Sequence, residues 1–524
     1  MSTYRIGIDV GGTHTDAVLL DEQNQVVSEI KSPTTLDVTT GIFTAMKTVI
    51  EAAQVPREDI KYAMLGTTHC TNAIVERKRL NKIAAIRIGA PATLAVKPLV
   101  GVPDDLRDVL GKYVYLVRGG HEFDGREIVS LDEQHLYRIA EEIKGNVDSV
   151  AITSVFSPVS QDHEHRAAVI IREVLGEEVA ISLSSEIGSV GLLERENATI
   201  INAAVINVAK VAAEGFMQAL KNEGINASVF FGQNDGTLMS VEYAMKYPIF
   251  TIACGPTNSL RGASYLTQSS DAIVVDVGGT TSDVGVLIQS FPRESSMAVE
   301  IGGARTNFRM PDLISIGLGG GTIVRIQEDG EFTVGPDSVG YQLPEKSLIF
   351  GGDTLTATDV AVALGKVELG DASKVAHLDR ELLNRVYGKM VEMVEEAIDK
   401  MKTSADDVPV ILVGGGSVLF PSQLKGASEV IQPEHSGVAN AIGAAISQVS
   451  GQVERIYKLA DITRETALAM AKDEAKNEAV KAGADPDELV IVDIEDVPLA
   501  YLPGNATRVR VKAAGKLAVE VVTV

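Results

Sequence analysis

Apolar residues come in short blocks whose period changes along the chain. Residues 4–10 and 272–277 are near-continuous apolar runs. Each meets a Gly-Gly-Thr turn and then a second apolar run, 15–20 and 282–288. Strand, glycine turn and strand make a hairpin. After the first hairpin the pattern predicts helices over 38–53, 71–79, 131–143 and 162–175. Strands over 62–65, 82–88, 149–154 and 179–183 alternate with them. Such alternation predicts sheets covered by helices. Residues 194–222 predict one long helix rich in Ala, Val and Ile, read as the crossing into a second half. Strands follow at 229–231 and 249–252, and a helix at 259–266. Beyond the second hairpin the pattern predicts helices at 353–364 and 380–402, a strand at 409–413 and a small-residue helix at 439–450. The tail changes character, with a charged, alanine-rich helix over 461–482 and strands at 489–494, 508–512 and 517–524.

The two hairpins repeat one another. Ile8-Asp9-Val10-Gly11-Gly12-Thr13-His14-Thr15-Asp16 returns half a chain later as Val275-Asp276-Val277-Gly278-Gly279-Thr280-Thr281-Ser282-Asp283. Short repeats build solenoids, whereas a repeat of this length is a pair of related domains. A chain of 524 residues has room for them, at roughly 100–200 residues per domain. The boundaries expected are 1–188 around the first hairpin, 189–450 around the second, and a small α+β module over 451–524.

Composition removes several classes of function. Lys and Arg number 47 against 71 Asp and Glu, for a net charge of −24. So acidic a chain is a poor non-specific partner for nucleic acid or an anionic membrane. It has no Trp and 5% aromatic residues, too few for a base-stacking platform. Its two cysteines, Cys70 and Cys254, exclude a disulfide scaffold or a four-cysteine metal site within one chain. The first residues run straight into a strand pattern, and no apolar run reaches 18 residues. The expectation is therefore a cytoplasmic protein without a leader or a membrane span.

Asp-x-Gly-Gly-Thr on a hairpin suits a nucleotide phosphate with Mg²⁺. Gly11, Gly12, Gly278 and Gly279 leave backbone N–H groups uncovered for phosphate oxygens. Thr13 and Thr280 add hydroxyl donors, and Asp9 and Asp276 can hold Mg²⁺ directly or through water. A single Gly-Gly-Thr turn is as readily an ordinary hairpin. Two matched copies, with a third glycine-rich turn at Gly414-Gly415-Gly416, are not. Neither the Gly-x4-Gly-Lys-Ser/Thr nor the Gly-x-Gly-x-x-Gly spacing occurs. Asp16 and Asp283 occupy matching positions as candidate catalytic acids or as hairpin caps. Thr67, Thr68 and Asn72 stand where a strand meets a helix, suited to a substrate or to helix capping. His69 and Cys70 lack a third ligand nearby and read as a loop His and a buried Cys. Glu186, Glu194 and Glu196 are candidates for a general base or for salt bridges. Gly317 to Gly321 reads either as a lining of the nucleotide site or as a tight loop.

These elements resemble the actin-like (ribonuclease H-like) ATPase superfamily. The resemblance makes 9–16 and 276–283 the two phosphate loops, 413–417 the adenosine loop and 439–445 a hinge helix. A closer likeness lies in Gly11-Gly12-Thr13-His14-Thr15-Asp16, Gly66-Thr67-Thr68-His69-Cys70-Thr71-Asn72-Ala73, Ser185-Glu186-Ile187, Gly255-Pro256 and Gly319-Gly320-Gly321-Thr322. In order and over nearly the whole chain, these resemble the A-type subunits of the hydantoinase/oxoprolinase family. The family commonly has an aromatic residue where His14 stands. The resemblance implies a two-domain ATPase with a nucleotide cleft that uses ATP and Mg²⁺. It would hydrolyse a cyclic amide such as a hydantoin or 5-oxoproline by phosphorylating its carbonyl. A small-molecule or sugar kinase on the same fold, and a nucleotide-driven partner subunit with no ring-opening activity, are the rival readings. The protein partners left open are a B-type subunit or further copies of the same chain.

Overall fold

A computed structural model describes residues 3–34, 38–188, 190–295, 299–308, 310–500 and 504–518. Ile6, Ile8 and Val10 are buried, which places Tyr4–Val10 inside a sheet. It pairs antiparallel with His14–Leu20 and parallel with Ile60–Thr67. Nine strands form this sheet. In order they are Val490–Pro498, Ala506–Gly515, Val449–Lys458, Leu238–Ser240, Ser228–Gly232, Ile60–Thr67, Tyr4–Val10, His14–Leu20 and Val26–Pro33. The edge strand Val26–Pro33 alternates half-buried and exposed positions.

The second hairpin organises a six-stranded sheet in the same way. Ala272–Val277 pairs antiparallel with Ser282–Ile288 and parallel with Val408–Val413, which is parallel to Ala427–Ile431. The duplication extends to register, because Asp9 faces Asp16 and Asp276 faces Asp283. The architecture is thus the actin-like α/β duplication, with a four-stranded parallel sheet inserted into its first half. That sheet runs Tyr113–Arg118, Ile83–Ala90, Ser149–Ser154, Ala180–Leu183.

Several connections differ from the pattern reading. The long helix Leu192–Asn222 does not cross between halves, since Ser228–Gly232 after it rejoins the first sheet. It packs between the inserted sheet and the first sheet, with Ala198 and Val205 in one core cluster and Phe216 and Leu220 in the other. By length and composition this helix alone, among the described residues, could cross a membrane, and 61% of its apolar window is buried inside the protein. Cys254–Thr267 makes the crossing and Ala439–Ile446 the return. Residues 249–252 are not a strand. Pro248 opens the 3₁₀ turn Pro248–Thr251, where its missing N–H leaves no bond unmade. The helix expected over 439–450 stops at Ile446, and the β-branched Val449 starts Val449–Lys458.

Among its described residues the segment 451–524 has no sheet of its own. Its strands extend the first sheet through Val449–Lys458, because the edge Leu238–Ser240 offers an unpaired backbone row. Ala467, Ala471, Ala475 and Ala479 of the helix Arg464–Lys481 face this sheet. A Cβ on Gly451 would lie 2.0 Å from the Ala479 nitrogen, so only small residues fit between helix and sheet. The last strand predicted, 517–524, lies outside the described residues beyond 518.

Candidate nucleotide site

Each hairpin tip closes on itself identically. The N–H of Gly11 donates to His14 O and that of Gly278 to Thr281 O, both at 2.9 Å. The tips meet, and a Cβ on Gly279 would lie 2.9 Å from Thr13 Oγ1. Between and beneath them lies a cavity of about 820 Å³. Asp9, Asp16, Asp276 and Asp283 line it together with Gly11, Gly12, Thr13, Gly278, Gly279 and Thr280. Gly414, Gly415 and Gly416 line it too, so three glycine turns distant in sequence share one space.

The strand-end carboxylates are held in matching ways. Asp9 is 3% exposed, and its oxygens accept from Asn258 Nδ2 at 3.2 Å and Asn440 Nδ2 at 3.0 Å. Asp276 accepts from Ser259 Oγ at 2.5 Å. A glycine makes room for each. A Cβ on Gly66 would lie 2.0 Å from Asp9 Oδ1, and one on Gly414 2.3 Å from Asp276 Oδ1. Gly414 also has φ +83°, which favours glycine outright. Asn258, Ser259 and Asn440 went unnoticed in the sequence. They sit on the two connecting helices, and nothing in their spacing marks them.

The copies differ behind the second pair of carboxylates. Asp16 faces Lys31 across the next strand, and Lys31 Nζ donates to both its oxygens at 2.6 and 2.7 Å. Asn440 Nδ2 also donates to Asp16, at 2.9 Å. Asp283 instead faces Ser315. Burial and the neighbouring Asp276 raise its pKa to about 6. Asp9 is likewise raised to about 6, mainly by burial against the opposing bond from Asn258. Burial also raises Asp276. Lys31 is the only Lys or Arg among the described lining residues. So many carboxylates beside one ammonium make the cavity a fit for a divalent cation with phosphates.

Other candidates fall elsewhere. Thr68 lines the cavity and donates to Val10 O at 3.2 Å, without capping the helix it precedes. Thr67 is buried against Cys254 and His69 and faces away from the cavity, and Asn72 reaches only Thr68 Oγ1, at 3.3 Å. Cys70 and Cys254 are buried thiols pushed up to about 11 and about 12 by desolvation. Glu196 is buried in a bidentate pair with Arg87. Gly319–Gly321 backs the second tip, where Gly320 N and Gly321 N donate to Gly278 O and Gly279 O at 3.0 and 2.7 Å. The cluster His121, Glu127 and His163 has metal-ligand composition. His163 Nδ1 accepts from Gly120 N–H at 2.9 Å, so its Nε2 carries the proton toward Glu127 and is closed to a metal.

Residues 5–175 match the model of the hydantoinase/oxoprolinase N-terminal region, and residues 195–387 that of hydantoinase/oxoprolinase. The chain belongs to the hydantoinase/oxoprolinase family. An uncharacterized protein of Methanocaldococcus jannaschii is 28% identical over 76% of this chain and 62% of its own length. The alpha subunit of the Pseudomonas jessenii caprolactamase is 26% identical over 69% of this chain and 54% of its own. The chain thus spans between half and two thirds of these relatives. The crystal structure of ATP-dependent caprolactamase from Pseudomonas jessenii superposes with a TM-score of 0.80 at 20% identity, over 98% of this chain and 88% of that one.

Two predictions arise at this site. A Cβ on Gly12 meets nothing within 4 Å. Gly12→Ala should leave the thermal midpoint of the ligand-free protein unchanged and weaken Mg²⁺-nucleotide binding at least about tenfold, because the methyl occupies space for phosphate. Calorimetry on both proteins checks this, and unaltered affinity would remove Gly12 from the cradle. The second concerns pH. The folded pKa values of about 6 for Asp9 and Asp283 exceed the ordinary 3.8. The folded chain therefore holds these protons more tightly than the unfolded chain. Their stabilising contribution is complete below pH about 4 and is lost as pH rises through about 6. In metal-free buffer, Asp283→Asn should gain in thermal midpoint over the parent between pH 4 and 7, and a constant difference would refute the shift.

Proposed function

We propose that this chain is an A-type subunit that uses ATP to activate the carbonyl of a cyclic amide for ring opening. The observation that carries the reading is the pair of Asp-x-Gly-Gly-Thr hairpins in identical register on one cavity. Family membership and relatives named as ATP-dependent caprolactamase and 5-oxoprolinase support it. Gly11–Thr13 and Gly278–Thr280 would cradle the phosphates from two sides. Asp9 and Asp276 would hold Mg²⁺, which when bound neutralises phosphate charge. Gly414–Gly416 would receive the nucleoside. Thr68, on the cavity wall, would contact the substrate ring.

Amide resonance makes the ring carbon a poor electrophile. Transfer of the γ-phosphoryl group to the carbonyl oxygen gives an O-phosphorylated imidate and ADP. Water adds to that carbon and the ring nitrogen leaves with a proton, opening the ring to an acyl phosphate, which a second water splits into carboxylate and phosphate. Positioning and charge stabilisation are the protein's contribution. Asp16 is engaged by Lys31 and Asn440, which leaves Asp283, raised to about 6 by burial and by Asp276, as the better-placed proton acceptor. Three relatives are named as subunits, which supports a B-type partner.

A second reading rests on the nucleotide-free acetone carboxylase structure, with a TM-score of 0.70, and on carboxylase subunits among the relatives. The same activation would there serve carboxylation of a ketone. The test is Mg²⁺-ATPase activity with hydantoins, 5-oxoproline and lactams, and with ketones plus bicarbonate. Stimulation by one cyclic amide, with ADP, phosphate and opened ring in equal amounts, is expected. Stimulation by a ketone alone selects the carboxylase. A stable phosphorylated product would mean a kinase.

A further inference from the structure

The two hairpins are copies, so a difference between them marks a task that one half has taken on. Asp16 and Asp283 hold the same register position. Across the next strand Asp16 meets Lys31, whereas Asp283 meets Ser315. The first copy thus carries a cation where the second carries a hydroxyl. Lys31 Nζ donates to both Asp16 oxygens, at 2.6 and 2.7 Å. Its reach extends beyond that acid. A Cβ on Gly415, in the turn after Val408–Val413 of the second sheet, would lie 3.6 Å from Lys31 Cε and 4.0 Å from its Nζ. Burial raises the pKa of Asp276, and the Ser259 hydroxyl and the positive charge of Lys31 oppose that rise. One ammonium from the first sheet therefore acts on acids of both hairpins.

We propose that Lys31 makes divalent-cation binding in this cavity depend on the nucleotide: it holds off a bare ion and favours one that arrives with phosphates. The inference rests on the ATP reading of the site. Asn440 Nδ2 donates to Asp9 at 3.0 Å and to Asp16 at 2.9 Å, so one amide ties the two carboxylates side by side. With Asp276 they form an acidic set that attracts a divalent ion. The Lys31 ammonium stands within that set. Its repulsion of a doubly charged ion is strong there, because buried charges are screened far less than exposed ones.

Phosphate reverses the sign of this effect. Lys31 has a flexible four-carbon stem and three rotatable donors, and its side chain is 31% exposed on an edge strand. It can turn from Asp16 to a phosphate oxygen, exchanging one charge-assisted hydrogen bond for another. Asp16 is then free to face the ion or its waters. One residue thus weakens binding of the bare ion and strengthens binding of the same ion with a nucleotide. An ion pair that only braced two strands would move both affinities in one direction.

The test uses the full chain at about pH 8, above the range in which Asp9 and Asp283 titrate. Bare Mn²⁺ is the probe ion, counted by its paramagnetic resonance signal, and Mg²⁺-ADP binding is measured by calorimetry. Lys31→Gln should bind bare Mn²⁺ at least tenfold more tightly than the parent and Mg²⁺-ADP at least tenfold more weakly. Lys31→Arg keeps the charge and should hold bare Mn²⁺ as weakly as the parent. Adding Asp16→Asn to Lys31→Gln removes the freed carboxylate, so Mn²⁺ affinity should return to that of the parent. That double variant leaves no carboxylate unpaired and should still bind Mg²⁺-ADP at least tenfold more weakly, which keeps the test open if Lys31→Gln does not fold. Mn²⁺ affinity unchanged or lower in Lys31→Gln, a gain that survives Asp16→Asn, or Mg²⁺-ADP affinity retained in the double variant overturns the proposal and leaves the ATP reading intact. A parent chain that binds no Mg²⁺-ADP overturns both.

Discussion

Asp9→Asn and Asp276→Asn should each lower Mg²⁺-ATP turnover by about a hundredfold or more, the scale set by removing one preorganised charge from a reacting centre. The substitution keeps volume and removes the negative charge. Asp9 shows why the effect is specific. Its oxygens accept from the side-chain amides of Asn258 and Asn440. An Asn there sets an NH₂ group against one of those donors, a mismatch worth about 1–3 kcal/mol in a buried site. Removing a carboxylate whose ionisation burial resists works in the opposite direction. Among the described residues the side-chain donor to Asp276 is the Ser259 hydroxyl, which can rotate to donate or accept. Asp276→Asn should therefore lose turnover while keeping or raising its thermal midpoint, and Asp9→Asn should sit lower. Turnover within threefold of the parent in both variants would end the paired-hairpin account.

The hairpins were legible to the residue because their apolar runs stop at Gly-Gly-Thr, a signal contained in nine positions. Lys31 was not. It lies on Val26–Pro33, an edge strand of half-exposed residues without an apolar run, and its importance comes from facing Asp16 across the sheet. Asn258 and Asn440 were hidden for a different reason. Asn440 is the one polar residue of a small-residue helix and Asn258 one of several in its own, and only the packing of those helices brings both to Asp9. The C-terminal strands show the same limit. Their alternation states that they are strands, but the free edge at Leu238–Ser240 decides which sheet they join. Local pattern encodes the element, and pairing encodes the site.

Gly443→Ala tests that pairing, and it should destabilise the protein by about 3 kcal/mol or more, at the upper end of overpacking costs. The helices Cys254–Thr267 and Ala439–Ile446 touch backbone to backbone. A Cβ on Gly443 would lie 1.8 Å from Asn258 O, and one on Gly262 1.9 Å from Ala439 O. Neither obstacle is a side chain that can rotate away. The helices must part, and they carry Asn258 and Asn440, so the added methyl also loosens the donors on Asp9 and Asp16. Nucleotide affinity should fall with stability. Gly388→Ala is the counterpart in the helix Arg380–Met401, where a Cβ meets nothing within 4 Å. Relieving the helix of glycine there should stabilise it by about 0.5–1 kcal/mol. Urea unfolding of the two variants beside the parent separates the effects. Opposite signs mean that contact between the connecting helices, rather than glycine's intrinsic cost, dictates the residue at 443. A Gly443→Ala midpoint at or above the parent's would show that the two helices have room to move, and the rigid placement of Asp9 would go with it.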